Sequence, residues 1–274
     1  MQPLNIAETI AALSGPRLGS YRTFFHPADD YELYGIYCWN EEISSCLTAL
    51  LNNLEVTMRN AFHRELSLRY GSAPGTASSD WYNAIRIGGR SLEKVQAITH
   101  RRSGRSFVPI VPPPAPDDVV AKLTLGFWKH LLDVDKDRRG GMVSWGTILP
   151  GLLPKHPNSN VPYWSRQQRQ DELFARIDLA GGLRNRIAHL EPVWKTGPLL
   201  EERRARRGSY TPRVVKAAPV TPDEAIDRLK LVHNRVLELL YWFSPHRSND
   251  YERSAARSRF RHLASADGLN AFRR

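Results

Sequence analysis

The sequence predicts an all-α protein, a helical bundle with long loops and a basic C-terminal tail. Three observations carry this. Apolar residues return at steps of three and four over several long segments, the helical period. A complete helix-start signal opens one of them. Alternating strand patterns are weak throughout. The chain has 274 residues, of which 41% are hydrophobic, enough for a real core. The helices are expected to form a single domain over 1–245, with a basic C-terminal helix or tail over 246–274.

The first clear helix is expected from about Ile43 to Tyr70, where Ile43, Leu47, Leu50, Leu54, Met58, Ala61 and Phe62 share one face. Gly71 stops it, and "GSAPGTASSD" reads as a loop. A shorter helix is expected over Ser91 to Arg101. "VPIVPPPAP", from Val108 to Pro116, reads as an extended connector, because proline lacks the amide donor. Asp117 and Asp118 suit the start of a helix over "DDVVAKLTLGFWKHLLD". Gly140 and Gly141 break the chain, and "SWGTILPGLLPKHPNSN" reads as irregular or as a short helix with a loop.

A second long helix is expected from Ser165 to Leu190, with Leu173, Phe174, Ile177, Ala180, Leu183, Ile187 and Leu190 as its apolar stripe and Pro192 as its end. A loop follows from Lys195 to Val220. The last core helix opens with Thr221 as cap, Pro222 at the first position and Glu224 as the capping-box partner. Ser244-Pro245 closes it.

The formal net charge is +11 and the isoelectric point about 9.9, which favours a polyanionic partner. Much of the excess lies in Arg203 to Lys216 and Arg253 to Arg274. Each run reads first as a solvated, partly disordered segment, the commoner case for charge runs, and also as a phosphate-attracting surface; both can hold at once. Cys38 and Cys46 match no zinc or redox spacing and read as buried thiols. The N-terminus lacks a signal-peptide pattern, and the apolar runs are too short to span a bilayer, so a cytoplasmic protein is expected. Asp133, Asp135 and Asp137 lack the glycine and glutamate of a calcium loop, and no phosphate-binding glycine loop occurs. His130 and His233 show no metal spacing. Trp39, Trp128, Trp145 and Trp242 read as packing residues. Neither cofactor nor metal is expected.

The informative stretch is "RNRIAHLEPVW", Arg184 to Trp194. On a helix at about 100° per residue, with Arg184 at zero, Ala188 falls near 40°, Asn185 near 100° and His189 near 140°. Leu183, Ile187 and Leu190 lie on the opposite side. Arginine, asparagine and histidine thus surround a small hollow on the solvent face. Arginine grips phosphate oxygens through its planar fork, and histidine moves protons near neutral pH. RNA supplies its own nucleophile, the 2′-hydroxyl, so such a site could cleave it without a metal. The bare spacing is cheap: Arg228–His233 and Arg257–His262 repeat it, with Leu229 and Ser258 in the asparagine position. Glu55, Arg59 and His63 form a further polar stripe at four-residue steps, read either as a Glu–Arg pair with a surface histidine or as support for a cleft or RNA contacts beside it.

At these residues the sequence resembles the Abi-like (abortive infection) proteins of the HEPN superfamily. "RNRIAHLEP" is similar to their arginine–histidine signature. Tyr37 to Leu66, with its "LEV..RNA.H" centre, looks like their N-terminal helix. "LTLGFWKHLLD" (Leu123 to Asp133) and "YWFSP" (Tyr241 to Pro245) are similar to later segments, in the same order. The resemblance spans roughly Leu18 to Leu263. It implies a HEPN-like bundle, a homodimer that joins two motifs in one cleft, metal-independent RNA cleavage, and a role in phage defence or as a toxin, with a protein or small-RNA antitoxin as a further partner. It places catalysis on Arg184, Asn185, His189 and Glu191. Arg59, Asn60 and His63 are expected to bind RNA or support the cleft. Many relatives carry a second histidine where this chain has Leu190. The alternative is a non-catalytic RNA-binding or assembly module on the same scaffold.

Overall fold

The structure, a computed structural model, describes residues 3–104, 106–206 and 208–273. Helices dominate, as the apolar periodicity predicts. In chain order they are α1 (Ile6–Leu13), α2 (Gly15–Phe25), α3 (Asp30–Ser67), α4 (Trp81–Ala84), α5 (Gly89–Thr99), α6 (Pro116–Ala121), α7 (Leu125–Trp128), α8 (Trp145–Leu152), α9 (Val161–Trp164), α10 (Gln167–Ala188), α11 (Pro222–Phe243), α12 (Pro245–Glu252), α13 (Ala255–Leu263) and α14 (Ala266–Phe272). A 3-10 turn, Lys129–Asp133, follows α7. Two small antiparallel ribbons complete the fold: β1 (His100–Ser103) with β2 (Ser106–Pro109), and β3 (Leu199–Leu200) with β4 (Val214–Lys216). No described helix is long and apolar enough to cross a membrane.

The axis is α3, whose 38 residues span about 57 Å. It starts much earlier than the apolar pattern suggests, because Asp29 caps it by accepting from the Glu32 amide at 2.8 Å. Its first turns carry Leu33, Ile36 and Trp39, all fully buried. Around it pack α2, α8, α10, α11, α13 and α14. The expected cap of α11 is present: the Thr221 hydroxyl accepts from the Glu224 amide, and the Glu224 carboxylate accepts from the Val220 amide. Trp39, Trp128 and Trp145 are core residues, whereas Trp242 is half-buried beneath the Arg176 guanidinium.

Several expectations change. The helix expected over 117–133 is broken into α6, α7 and the 3-10 turn. The break is fixed from outside, by Glu55 of α3 accepting from the Leu125 amide at 3.1 Å. The helix expected to run to Arg101 ends at Thr99, and Arg101 lies in β1. The Lys195 to Val220 loop contains the β3–β4 ribbon.

The C-terminal segment is not a solvated tail. Phe260, Leu263 and Leu269 join the main core, and the Trp39 indole N–H donates to the Leu263 carbonyl at 2.9 Å. The α14 backbone lies directly on α3 at Gly35, where a Cβ would fall 1.7 Å from the Phe272 carbonyl oxygen. Among the described residues, one core cluster includes members of both 1–245 and 246–274.

Candidate active site

The motif lies at the C-terminal end of α10. Ile177, Ala180 and Leu183 are buried against the bundle, which turns Arg184, Asn185, Ala188 and His189 outward, all four exposed. The helix stops two residues before the expected point. His189 is the C-cap, and Leu190 adopts a left-handed conformation with φ 55°. The Leu190 amide donates to the Ile187 carbonyl at 2.9 Å, and the Glu191 amide to the Arg186 carbonyl at 2.8 Å. Those two bonds form a Schellman motif, which satisfies carbonyls that a helix end otherwise leaves open. Leu190 consequently leaves the apolar stripe and is 67% exposed.

The chain beyond this turn is held by three side chains that the sequence reading did not single out. Arg17 of α2 donates to the Leu190 carbonyl at 2.8 Å. Arg186 donates to the carbonyls of Pro192 at 3.2 Å and Lys195 at 2.6 Å. Asn40 of α3, itself buried, accepts from the Val193 amide at 2.9 Å. Trp194 is then clasped by Tyr21, Phe24 and Phe25 of α2. One signal for Arg186 was available: it falls near 200° on the helical wheel, away from the Arg184 face.

Arg184 and His189 lie about 7.5 Å apart along the axis and about 140° apart around it. Between them sit Ala188, with little bulk, and Asn185, with a carboxamide. Among the described residues, no hydrogen bond or ion pair involves the side chains of Arg184, Asn185 or His189. A phosphate resting on this floor could be met by a guanidinium from one side and an imidazole from the other. Glu191 is turned elsewhere. Its carboxylate is 3.6 Å from Arg186, and among the described residues it makes no hydrogen bond to His189.

The two other Arg–His spacings are built differently. Arg228 is 2% exposed and donates to the carbonyls of Gly197 at 2.9 Å and Ala217 at 2.7 Å. His233 is fully buried, stacked on Phe260 and 3.0 Å from the Tyr251 hydroxyl; burial pushes its pKa down to about 4. Arg257 is paired with Glu252. Identical spacing thus gives a loop anchor, a tail brace and one open pair.

The α3 stripe is a docking strip. Glu55 holds the Leu125 amide, and Arg59 donates to the Ala121 carbonyl at 2.8 Å. His63, expected on the surface, is 6% exposed. Its Nδ1 accepts from the Trp81 indole at 2.9 Å, and its Nε2 faces Ser78 and Asp117 at 3.1 and 3.2 Å. Burial lowers its pKa, against the opposing pull of Asp117. The three side chains therefore fasten the Asp117–Leu125 segment to α3, and the expected Glu–Arg pair does not form. His63 is too buried for RNA contact, whereas Asn60 is exposed.

The two basic runs are also largely neutralised from within. Arg203 lies over the Tyr210 ring, Arg204 pairs with Asp133, Arg206 with Asp171 and Arg213 with Glu201. In the C-terminal helices, Arg257 and Arg261 share Glu252, Arg259 pairs with Glu42 and Arg273 with Glu32. Arg207 and Arg274 lie outside the described residues. Among the described residues, no three His, Cys, Asp or Glu side chains gather closely enough to hold a metal ion. No protein-family model, curated protein or solved structure matches this chain.

Proposed function

We propose that this chain is a metal-independent endoribonuclease whose catalytic groups are Arg184, Asn185 and His189, working in a homodimer. The observation that carries the reading is the contrast among the three Arg–His spacings. Only at Arg184–His189 are both members exposed and without a described internal partner, over a small and polar floor. Unpartnered arginine and histidine contribute little to a fold, so their presentation at a braced helix end favours a ligand outside the chain.

In this reading Arg184 neutralises the scissile phosphate, and its fork follows the charge that grows on the non-bridging oxygens. A histidine takes the proton from the 2′-hydroxyl. That oxygen attacks phosphorus, the bond to the 5′-oxygen breaks, and a histidine returns a proton to the leaving oxygen. The products are a 2′,3′-cyclic phosphate and a 5′-hydroxyl. A second copy of the motif allows the two proton transfers to be divided between two His189 side chains. Asn185 orients the phosphate, and Glu191 acts through Arg186 as part of the turn rather than on the histidine. The ordered resemblance to Abi-like proteins supports a role in abortive infection or a toxin system, with a protein or small-RNA antitoxin as the natural restraint.

The test is cleavage of single-stranded RNA and total tRNA in EDTA by the parent protein, Arg184→Ala and His189→Ala. Cyclic phosphate ends from the parent, with both variants folded and inactive, support the reading. Equal inertness of all three, with RNA still bound, favours the non-catalytic binding module, which the same open pair and the net positive charge also suit.

A further inference from the structure

With the two long basic runs largely tied up internally, most of the described unpartnered cations lie elsewhere. Residues 86–111 carry six Arg or Lys and one acid, Glu93. They form α5 and the β1–β2 ribbon, an arm beside α6. Arg86, Arg90, Lys94 and Arg101 are all exposed, and among the described residues their side chains take part in no hydrogen bond or ion pair. Arg102 reaches only the Gly104 carbonyl of its own turn, at 3.3 Å. Directly across the ribbon from Arg102 stands Phe107, on the same face and 66% exposed. A large aromatic ring held mostly in water beside Arg102, whose guanidinium has only that one contact, contributes little packing to the chain.

The arm is continuous with the motif face. The Lys94 ammonium lies 4.0 Å from where a Cβ on Gly126 would stand. The neighbouring Leu125 side chain lies 3.9 Å from the same point on Gly181. Gly181 shares a helix face with Arg184 and Ala188, one and two turns further on. The arm therefore abuts α7, which in turn abuts the α10 face that carries the open pair.

We propose that the α5–β1–β2 arm binds single-stranded RNA, holding its phosphates with Arg86, Arg90, Lys94 and Arg102 and stacking a base on Phe107. The direction of the strand, toward Arg184, rests on the nuclease reading; the binding itself does not. Narrow basic tracks interrupted by exposed aromatic rings suit a single strand, because its phosphates can follow the side chains and its bases are available to stack. Paired bases in a duplex are not.

The experiment uses the full chain carrying His189→Ala, so that no RNA is consumed, and follows the anisotropy of an unstructured fluorescein-labelled 20-nucleotide RNA between 50 and 200 mM KCl. Adding Arg90→Glu, Lys94→Glu and Arg102→Glu together is expected to weaken binding about tenfold or more. It should also lower the salt slope by about two, as three phosphate contacts on a single strand require. Phe107→Ala is expected to weaken binding about fivefold with the slope unchanged. Arg253→Gln, an exposed change in the C-terminal helices, should bind like the parent. Thermal melting confirms that each variant folds. Unchanged affinity in the triple variant overturns the proposal. Equal affinity for duplex RNA, with Phe107→Ala silent, overturns the single-strand assignment. If the arm variants lose binding while the unmutated protein cleaves no RNA, the arm stands and the nuclease reading falls.

Discussion

The guanidinium of Arg17 in α2 donates to the Leu190 carbonyl at 2.8 Å, and so joins the first helices of the chain to the turn that carries His189. Leu190 follows the C-cap directly, so movement of its carbonyl moves the histidine backbone. Arg17 is only half-buried, so its loss costs little global stability. Arg17→Ala is expected to leave the melting temperature within about 2 °C of the parent. On the nuclease reading, RNA cleavage should nevertheless fall by roughly tenfold, since catalysis is sensitive to small misplacements of a reacting group. Initial rates and melting curves on one preparation check this. A proportional loss of both would make Arg17 a general stabiliser instead.

Leu190 holds a conformation that a side chain disfavours, φ 55°, in a position where glycine is usual. Its side chain is largely exposed, so little packing is at stake. Leu190→Gly is therefore expected to raise stability by about 1 kcal/mol, the cost that left-handed backbone imposes on a non-glycine residue. The Schellman bonds at Ile187 and Arg186 use backbone atoms and survive the change. Denaturant unfolding measures it directly: a higher midpoint at constant m-value is the expected result, and a lower midpoint would show that Leu190 packs more than its exposure indicates.

How far the site could be read from sequence depends on what each residue's role requires. Helical periodicity placed Arg184, Asn185 and His189 on the outward face, because that depends only on the angle per residue. It could not distinguish their pair from Arg228–His233. That difference arises from Gly197, Ala217 and Tyr251, which only the tertiary fold brings near. Arg17 and Asn40 were invisible for the same reason: their partners lie 173 and 153 residues away. His63 was misplaced because the polar stripe of α3 is covered by another segment, so a polar face that looks solvated is a buried docking strip. The basic runs show the converse. Local charge density leaves them as solvated segments or as surfaces for phosphate, but most of the carboxylates that pair with them come from distant parts of the chain.

Arg184→Ala and Arg228→Ala make the sharpest contrast between equal spacings. Arg184 has no described internal partner, and its removal should change stability by less than about 0.5 kcal/mol and, on the nuclease reading, abolish cleavage. Arg228 is buried and anchors two loop carbonyls. Truncating it leaves both without their donor and should cost about 2–3 kcal/mol, a loss visible in any unfolding assay. If Arg184→Ala destabilises as strongly as Arg228→Ala, the open pair is structural and loses its claim to catalysis.

His233 gives the fold an acid-sensitive element. Burial lowers its pKa to about 4, from an ordinary value of about 6.5 in the unfolded chain. The neutral ring fits its surroundings: Nδ1 can donate to the Asn234 side-chain oxygen at 3.1 Å, while Nε2 accepts from the Tyr251 hydroxyl at 3.0 Å. Arg257 and Arg261 add repulsion against a charged ring. Between pH 6.5 and 4 the unfolded chain binds this proton and the folded chain does not. Stability is therefore fully present above about pH 6.5, falls as the pH drops through that window, and levels off below the folded value; the whole effect is of order 3 kcal/mol. His63 and His156, also lowered by burial, add to the same slope. His233→Gln removes the largest of these contributions. It should lower stability at pH 7.5, through lost stacking on Phe260, and flatten the decline between pH 6.5 and 4. Unfolding curves across that range test it. A variant with the same acid slope as the parent would place the sensitivity in the other two histidines.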